Sequence, residues 1–180
     1  MQIKIINKPN RKITQSVLYF QFRFMGWNSK EMEYQDDRFG SLPFAYVICY
    51  KDNEMVGVVN LLKRKIIFKG EKILLGGFGG VCIHIKYRRQ GIALRLLKEG
   101  MKILKINKCD IAFLNTDIKK LGTLYGKVGF VPLGRKYKAT GLSNKVYEDA
   151  GGMIAPICSK EIFNKVLKDT NIFDLQGQDW

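Results

Sequence analysis

The sequence has one histidine, scattered cysteines and no long apolar run, and each scarcity excludes a class of protein. A single histidine without a Cys-x-x-Cys pair does not make a structural zinc site. The cysteines at 49, 82, 109 and 158 have no paired spacing, which indicates free thiols in a reducing, cytoplasmic compartment. No apolar run reaches the roughly 20 residues of a membrane-spanning helix, and residues 1–12 lack the apolar core of a secretory signal. We therefore expect a cytoplasmic protein with no metal and no membrane partner.

Acidic residues are also scarce, since 16 Asp and Glu accompany 31 Lys and Arg and leave a net charge of +15. The positive electrostatic field of such a charge would attract nucleic acid, an anionic membrane or an anionic cofactor. The basic residues are spread along the chain, and a bias toward lysine, asparagine and isoleucine accounts for them without a partner. We expect no nucleic-acid partner. An acidic run at residues 31–37 reverses the sign locally and indicates either a solvated short helix or an acceptor-binding surface.

The most informative stretch runs from residue 76 to residue 106. It consists of a glycine cluster (76–80), an apolar run (81–85), a basic turn (86–90) and an amphipathic helix that begins at Gly91. Glycines within a strand indicate a bulge or a ligand that approaches the backbone. The first amides of a helix have no intrahelical partner, and the helix dipole adds positive charge there. This order of elements therefore predicts a site for a phosphate-bearing ligand.

The loop before the helix has the spacing Arg88-x-x-Gly91-x-Ala93. Gly91 lets a diphosphate approach where a Cβ would clash, and Ala93 keeps the helix start narrow. Arg88 and Arg89 add charge-assisted donors. For the short motif alone, an ordinary strand-to-helix turn with a solvated basic face is the alternative. The loop is neither a Walker motif nor a dinucleotide fingerprint, because both glycine spacings are absent.

The length of 180 residues and the lack of a linker or internal repeat predict one domain over residues 1–180, with both strands and helices as in an α+β protein. Apolar runs predict strands at 3–6, 44–50, 55–62, 65–69, 72–75, 81–85, 111–115, 135–140 and 153–157. A period near that of a helix predicts helices at 10–25, 93–106, 116–129 and 159–167. Thr14 or Ser16 is expected to cap the first helix, and Thr116 or Asp117 the third. We expect a polar connection at 141–152, and a strand at 111–115 parallel to 81–85.

Two further motifs follow the helix in order, Asp110-Ile-Ala-Phe-Leu-Asn115 and Leu124-Tyr125-Gly-Lys-Val-Gly129-Phe130. Across residues 45–133 the chain resembles the GCN5-related N-acetyltransferase (GNAT) superfamily, which binds acetyl-CoA. The resemblance implies a mixed, mostly antiparallel twisted sheet of six to seven strands flanked by helices, with a splayed parallel strand pair that binds acetyl-CoA. It also implies acetyl transfer from acetyl-CoA to a primary amine, with no metal.

The resemblance assigns cofactor binding to the central strand, the loop and the helix start. The residues are Val81, Cys82, Ile83, Arg88, Arg89, Gln90, Gly91, Ile92 and Ala93, with Asn115 and Leu121 downstream. Strand amides would pair with pantetheine as another strand would, and the amide of Val81 would stabilise the developing oxyanion. Side chains alternate along the strand, so that Val81 and Ile83 share one face while Cys82 lies on the other.

Tyr125 is the predicted general acid. A phenol with an ordinary pKa of about 10 stays protonated at neutral pH and can give its proton to the departing thiolate. A core tyrosine in a helix is the alternative. The general base is left open between His84, which lies beside an apolar run, and an ordered water. Cys82 is expected to be a buried thiol and not a nucleophile.

Within the superfamily the chain resembles the aminoglycoside 2′-N-acetyltransferases, in residues 61–87 and in the last segment, which ends Gly177-Gln-Asp-Trp180. This resemblance assigns substrate binding to Glu148 or Asp149 and to Trp180, whose carboxylate would hold an ammonium group. Asp36, Asp37 and Gly80 are further residues that we expect to bind the substrate. Where that subfamily has a glutamate, two residues before Val81, this chain has Gly79. The base and the acetylation of a drug are therefore left open.

We expect two partners, acetyl-CoA and a small-molecule amine, and the sequence leaves a homodimer open. A charge of +15 would repel a polycationic aminoglycoside unless acidic residues converge on its pocket. Their convergence therefore tests that acceptor. The alternatives are transfer to another amine or a polyamine, a coenzyme-binding module without turnover, and a nucleic-acid-binding module on the same scaffold.

Overall fold

The chain forms a seven-stranded sheet with helices packed on it and a small second sheet. The structure is a computed structural model that describes residues 1–26 and 37–180. The strands are β1 (Gln2–Asn7), β2 (Ala45–Lys51), β3 (Glu54–Phe68), β4 (Glu71–Ile83), β5 (Ile111–Asn115), β6 (Val131–Pro132), β7 (Tyr137–Thr140), β8 (Val146–Asp149), β9 (Gly152–Pro156) and β10 (Phe173–Asp174). The helices are α1 (Arg11–Met25), α2 (Ile92–Ile106), α3 (Ile118–Gly126) and α4 (Lys160–Lys168), with a 3-10 turn at Ile85–Tyr87.

The large sheet has the strand order β1-β2-β3-β4-β5-β9-β6. Its β4 and β5 run parallel, and its other described neighbours run antiparallel. The second sheet has the order β10-β7-β8. The predicted fold class, a mostly antiparallel mixed sheet of six to seven strands flanked by helices with a parallel pair, is confirmed.

Two strand predictions are wrong in their extent. The strands predicted separately at 55–62, 65–69, 72–75 and 81–85 form only two long strands, β3 and β4, which pair as one hairpin. The glycine cluster continues the ladder with a bulge and does not end it. The connection predicted at 141–152 contains β8, which pairs with β7. A short polar strand such as β8 lacks the apolar alternation that sequence analysis requires.

The helix boundaries follow from their caps. Asn10 caps α1, because its side chain accepts a hydrogen bond from the amide of Ile13. The predicted caps Thr14 and Ser16 lie inside that helix, so this prediction is wrong. Asp117, one of the two predicted alternatives, caps α3.

The helices cover the two faces of the large sheet. On one face, α2 and α3 pack against β2, β3 and β4, with Leu96 and Leu97 among the fully buried contacts. On the other, Val17 and Phe20 of α1 pack against β2, β3 and β4, and α4 joins β5, β9 and the second sheet. Within residues 1–26 and 37–180, none of the helices has the length and apolar character that crossing a bilayer requires.

The parallel strands β4 and β5 separate part-way along their length. Residues 75–77 pair with residues 111–113, and the described ladder ends there. Beyond that point β4 keeps β3 as its partner, and β5 keeps β9. The predicted parallel direction is thus confirmed for β4 and β5, but the paired residues of β4 are 75–77 and not 81–85, because the strands have diverged before Val81. The opening between them borders a cavity.

Candidate active site

A cavity of about 520 Å³ lies beside the divergence of β4 and β5. Its walls come from α1, the segment 39–43, the start of β2, the middle of β3, the second half of β4, the end of β5, and α3. The predicted site residues that line it are Gly80, Val81, Asn115, Leu121, Tyr125 and Trp180. The fold thus brings the glycine-rich strand, the asparagine-bearing strand and the tyrosine-bearing helix to one place.

The side chains that line this cavity are uncharged. No Lys, Arg, Asp or Glu side chain borders it within the described parts of the chain. Its polar groups are amides and hydroxyls, from Thr14, Gln21, Ser41, Tyr46, Asn60, Asn115, Thr116 and Tyr125. The other walls are aliphatic and aromatic. The described side chains offer a ligand hydrogen-bonding groups but no counter-ion. Of the acidic groups predicted for a substrate ammonium, only the main-chain carboxylate assigned to Trp180 belongs to a described residue that lines the cavity. A ligand with several charges would therefore be desolvated with little compensation.

The second half of β4 is bulged at Gly80. The register between β3 and β4 shifts here, and Gly80 has a φ of 52°, in the left-handed region that favours glycine. The Gly80 carbonyl accepts a hydrogen bond from Gln21 Nε2 at 2.6 Å. Because the carbonyl and the next amide point to opposite sides of one planar peptide, the amide of Val81 faces away from Gln21. The bulge thus turns one strand amide out of the ladder's regular direction.

Tyr125 lies at the wall of the cavity formed by α3. Its side chain is 5% exposed, and its hydroxyl interacts with the side chain of Thr116. Burial raises the pKa of Tyr125 above its ordinary value, so the phenol stays protonated at neutral pH. Asn115, the last residue of β5, lines the same wall. A protonated phenol at this position can act as a proton donor.

The loop between β4 and α2 leaves the start of the helix open. Arg89 and Gly91 have φ values of 60° and 75°, and a Cβ at Gly91 would meet no atom within 4 Å. Gly91 is the N-cap of α2 and offers no side chain, so the first amides of this helix remain available. Ile92 is buried and anchors the helix start, whereas Ala93 is half-buried. Gln90 is exposed and donates to a carbonyl within its own loop.

Arg88 ties this loop to α1. Its Nη2 donates to the carbonyl of Phe24 at 2.9 Å, and its Nε donates to the carbonyl of Ile83 at 3.1 Å. Two of the donors predicted for a phosphate therefore hold the loop against the C-terminal end of α1. Arg88 therefore positions the start of α2, whether or not its charge also contributes to binding a phosphate.

Cys82 and His84 have structural surroundings. Cys82 is buried against α1, and burial raises its pKa to about 11, so the thiol is not a nucleophile at neutral pH. Ile83 packs on the opposite face, as the alternation predicted. His84 Nδ1 accepts from the amide of Lys86 at 3.1 Å, and its ring lies 4.3 Å from that of Phe24. His84 does not line the cavity.

Trp180 occupies the space in front of the glycine cluster. A Cβ at Gly79 would lie 3.2 Å from the main-chain carbonyl carbon of Trp180 and 3.2 Å from Leu62 Cδ1. A Cβ at Gly77 would overlap the indole. The indole Nε1 donates to the carbonyl of Phe113 at 3.3 Å, where β5 leaves β4. A glutamate at position 79 would therefore compete with Trp180 for the same space.

The predicted acidic substrate-binding residues do not line the cavity in the described structure. A hydrogen bond from Tyr147 is the main cause that lowers the pKa of Asp37. Glu148 is exposed on β8 and pairs with Lys136 at 3.2 Å. Asp36 lies outside the described residues.

Asp149 belongs to a charged cluster behind Trp180, formed by Arg38, Tyr137, Asp149 and Asp179. Arg38 Nη2 lies 2.8 Å from the carboxylate of Asp179 and 2.9 Å from that of Asp149. Tyr137 donates to Asp179 at 2.6 Å, and Asp179 Oδ1 accepts from the amide of Trp180 at 2.9 Å. Burial raises the pKa of Asp179, while its hydrogen bonds act in the opposite direction. The cluster fixes the main chain at Trp180.

Several residues of the cavity wall were not predicted from the sequence, and Gln21 and Asn60 are two of them. Gln21 is four residues after Val17, on the apolar side of α1, and Asn60 interrupts an apolar strand. A polar residue on a buried face is the available signal, because such a group needs a partner. The pairing of β3 with β4 and the packing of α1 decide that these two residues are each other's partners.

A family model described as an acetyltransferase (GNAT) domain matches residues 19–132, which is more than half of the chain. No curated protein matches the sequence.

Several solved structures share the fold at low sequence identity. Escherichia coli ElaA is 16% identical, with a TM-score of 0.62 over 86% of this chain and 98% of that protein. The GNAT family N-acetyltransferase YhbS from Escherichia coli, in complex with CoA, is 14% identical, with a TM-score of 0.61 over 97% of this chain and 89% of that protein. A GCN5-related N-acetyltransferase from Anabaena variabilis is 17% identical, with a TM-score of 0.59 over 76% of this chain. The chain spans 34% of the Anabaena protein and about a third of two similar structures, and the likeness to all of these proteins is one of fold.

Proposed function

Because this chain belongs to the acetyltransferase (GNAT) domain family, we propose that it transfers an acetyl group from acetyl-CoA to the primary amine of a small molecule. The observation that carries the proposal is the divergence of β4 and β5 beside the cavity. Among residues 1–26 and 37–180, it leaves one edge of β4 without a strand partner after Gly77. An extended ligand with amide groups, such as the pantetheine arm of coenzyme A, can pair with such an edge as a strand would.

The start of α2 supports a diphosphate in the same ligand. Its first amides are uncapped, Gly91 leaves the approach open, and the helix dipole favours negative charge. Arg88 holds the loop in place from the side of α1. Arg89 is exposed beside the helix start and supplies a positive charge. Cofactor binding by Val81, Cys82 and Ile83 through their main chain, and by the loop, is part of this proposal.

The reaction forms a C–N bond and breaks the C–S bond of the thioester. The amide of Val81 is proposed to stabilise the carbonyl oxygen as negative charge develops on it. Tyr125 gives its proton to the departing sulfur and later regains one from solvent. The proton lost by the amine passes to an ordered water, since no described side chain that lines the cavity is a carboxylate or an imidazole.

The acceptor is proposed to be a small amine with few charges and an apolar body. The cavity walls support this class, because they offer amides, hydroxyls and apolar groups without a described acidic side chain. An aminoglycoside, the acceptor suggested by the sequence resemblance, carries several ammonium groups that would need such acidic partners. Asp37, Glu148 and Asp149 are instead engaged with protein groups outside the cavity.

A matched glycine pair tests the coenzyme site. Gly91 and Gly134 have φ values of 75° and 76°, and a Cβ at either would meet nothing within 4 Å. Gly91→Ala and Gly134→Ala therefore impose the same backbone strain, of about 1 kcal/mol. We expect calorimetry to show acetyl-CoA affinity falling about tenfold or more in Gly91→Ala alone, since only there does the methyl group face the diphosphate.

Turnover is measured by thiol release with a panel of primary amines. The expected result is acetyl-CoA-dependent release with singly charged amines, and less with kanamycin-like polycations. A wild-type protein that fails to bind acetyl-CoA would refute the proposal. Binding without release for any amine would favour the coenzyme-binding module without turnover.

A further inference from the structure

Gln21 and Asn60 form a hydrogen-bonded amide pair at the wall of the cavity. Gln21 lies on α1 and is 2% exposed, and Asn60 lies in the middle of β3. Gln21 Nε2 donates to Asn60 Oδ1 at 2.9 Å and to the Gly80 carbonyl at 2.6 Å. A Cβ at Gly80 would overlap Gln21 Nε2, so glycine is required for this contact. The amide pair therefore joins α1, β3 and the bulge of β4.

The Gly80 carbonyl decides which way both amides point. A backbone carbonyl only accepts hydrogen bonds, so the atom of Gln21 that contacts it is the NH₂ group and not the oxygen. The same NH₂ group then faces Asn60, whose contacting atom must be its oxygen. The orientation leaves Gln21 Oε1 and Asn60 Nδ2 as the outer atoms of the pair, with Asn60 Nδ2 beside Gly80, where a Cβ would lie 2.7 Å from it.

Within the described residues, these two outer atoms make no hydrogen bond to the protein. Within residues 1–26 and 37–180, neither Gln21 Oε1 nor Asn60 Nδ2 has a hydrogen-bond partner in the protein, and both residues line the cavity. A polar atom of a buried side chain needs a partner, because burial without one is unfavourable. The pair thus presents one acceptor and one donor to whatever fills the cavity.

We infer that the amide pair is the subsite that selects the acceptor, and that it takes a primary amine with an oxygen on the neighbouring carbon skeleton, as in an amino-acid amide or a 1,2-amino alcohol. This inference rests on the proposed function. An N–H of the acceptor donates to Gln21 Oε1, and the acceptor's carbonyl or hydroxyl oxygen accepts from Asn60 Nδ2. Since both protein groups are neutral, the selection depends on hydrogen-bond complementarity and not on charge.

Three amines of similar size test the inference: alaninamide, alaninol and sec-butylamine. The first two carry the oxygen, and the third replaces it with carbon. We expect kcat/KM of the wild-type enzyme to be about tenfold or more higher for the oxygen-bearing amines, because a site built to hydrogen-bond discriminates against an analogue that leaves it unpaired.

Asn60→Asp is the informative variant. It keeps an oxygen for Gln21 Nε2 but replaces the Nδ2 donor with a second acceptor, so the preference for alaninamide over sec-butylamine should fall to about onefold to twofold. Asn164→Asp, on the exposed side of α4, makes the same charge change away from the cavity and should keep the preference. Acetyl-CoA affinity should be unchanged in both variants.

The outcomes separate the inference from the function it rests on. Equal turnover of the three amines by the wild-type enzyme, or an unchanged preference in Asn60→Asp, overturns the inference and leaves the acetyltransferase intact. Turnover confined to amines that lack the oxygen also overturns it. Absence of acetyl-CoA binding overturns the proposed function itself.

Discussion

The charged cluster behind Trp180 and the amide pair at the cavity wall differ in how fully their hydrogen bonds are satisfied. In the charged cluster, Asp179 accepts hydrogen bonds from Arg38, Tyr137 and the amide of Trp180. In the amide pair of Gln21 and Asn60, one acceptor and one donor face the cavity without a protein partner in the described structure.

The charged cluster contributes to stability, whereas the amide pair can contribute to ligand recognition. A buried ion pair whose bonds are all internal supports the main chain around it and offers nothing to a ligand. A neutral pair with unused atoms offers a ligand two specific contacts. Of the acidic residues predicted for a cationic substrate, Asp149 belongs to the first group. The second group consists of Gln21 and Asn60, which were not predicted from the sequence.

Breaking the charged cluster should have the largest effect. Arg38→Met leaves the buried carboxylate of Asp179 without its cation, and we expect a loss of about 3–5 kcal/mol in the free energy of unfolding. Urea denaturation measures it. The double variant Arg38→Met, Asp179→Asn should recover part of the loss, because no charge is then left unpaired. Equal stability of the single variant and wild type would show that the cluster is not structural.

Tyr125→Phe tests the proposed proton donor at the cavity wall. It removes the proposed proton donor while keeping the ring, so kcat should fall about 100-fold or more while acetyl-CoA affinity is retained. Because burial raises the pKa of Tyr125, the acid form persists as pH rises, and the wild-type alkaline limb of kcat should lie above about pH 10. An unchanged kcat would remove Tyr125 from the mechanism.

Gly77→Ala tests the position of Trp180, which packs against Gly77. Its methyl group would displace the indole of Trp180, and we expect a loss of about 1–3 kcal/mol in the free energy of unfolding. Gly126→Ala is the control, since a Cβ there meets nothing within 4 Å. Thermal unfolding of both variants checks this, and a Gly77→Ala protein as stable as the control would show that Trp180 can move without cost.

The smallest effect is expected for Glu148→Gln. The pair of Glu148 with Lys136 is exposed, so stability should change by less than about 0.5 kcal/mol. Because Glu148 does not line the described cavity, KM for the acceptor amine should also stay within about twofold. A large rise in KM would return Glu148 to the substrate site.

The elements of the proposed coenzyme site could be predicted from the sequence because their signals are local. A strand, a glycine at the N-cap and an amphipathic helix are consecutive, and the binding groups proposed there are backbone amides that any folded version of this stretch presents. Tyr125 and Asn115 likewise have local signals, because Tyr125 lies near the end of α3 and Asn115 is the last residue of β5.

The acceptor side was decided by tertiary structure. Gln21 and Asn60 are 39 residues apart in the chain, and Gln21 and Gly80 are 59 apart. The bulge in β4, the packing of α1 and the return of the chain to Trp180 determine which polar groups meet and which remain unpaired. Which distant residues become hydrogen-bond partners depends on long-range packing. The pattern of residues along the chain therefore does not predict these partners.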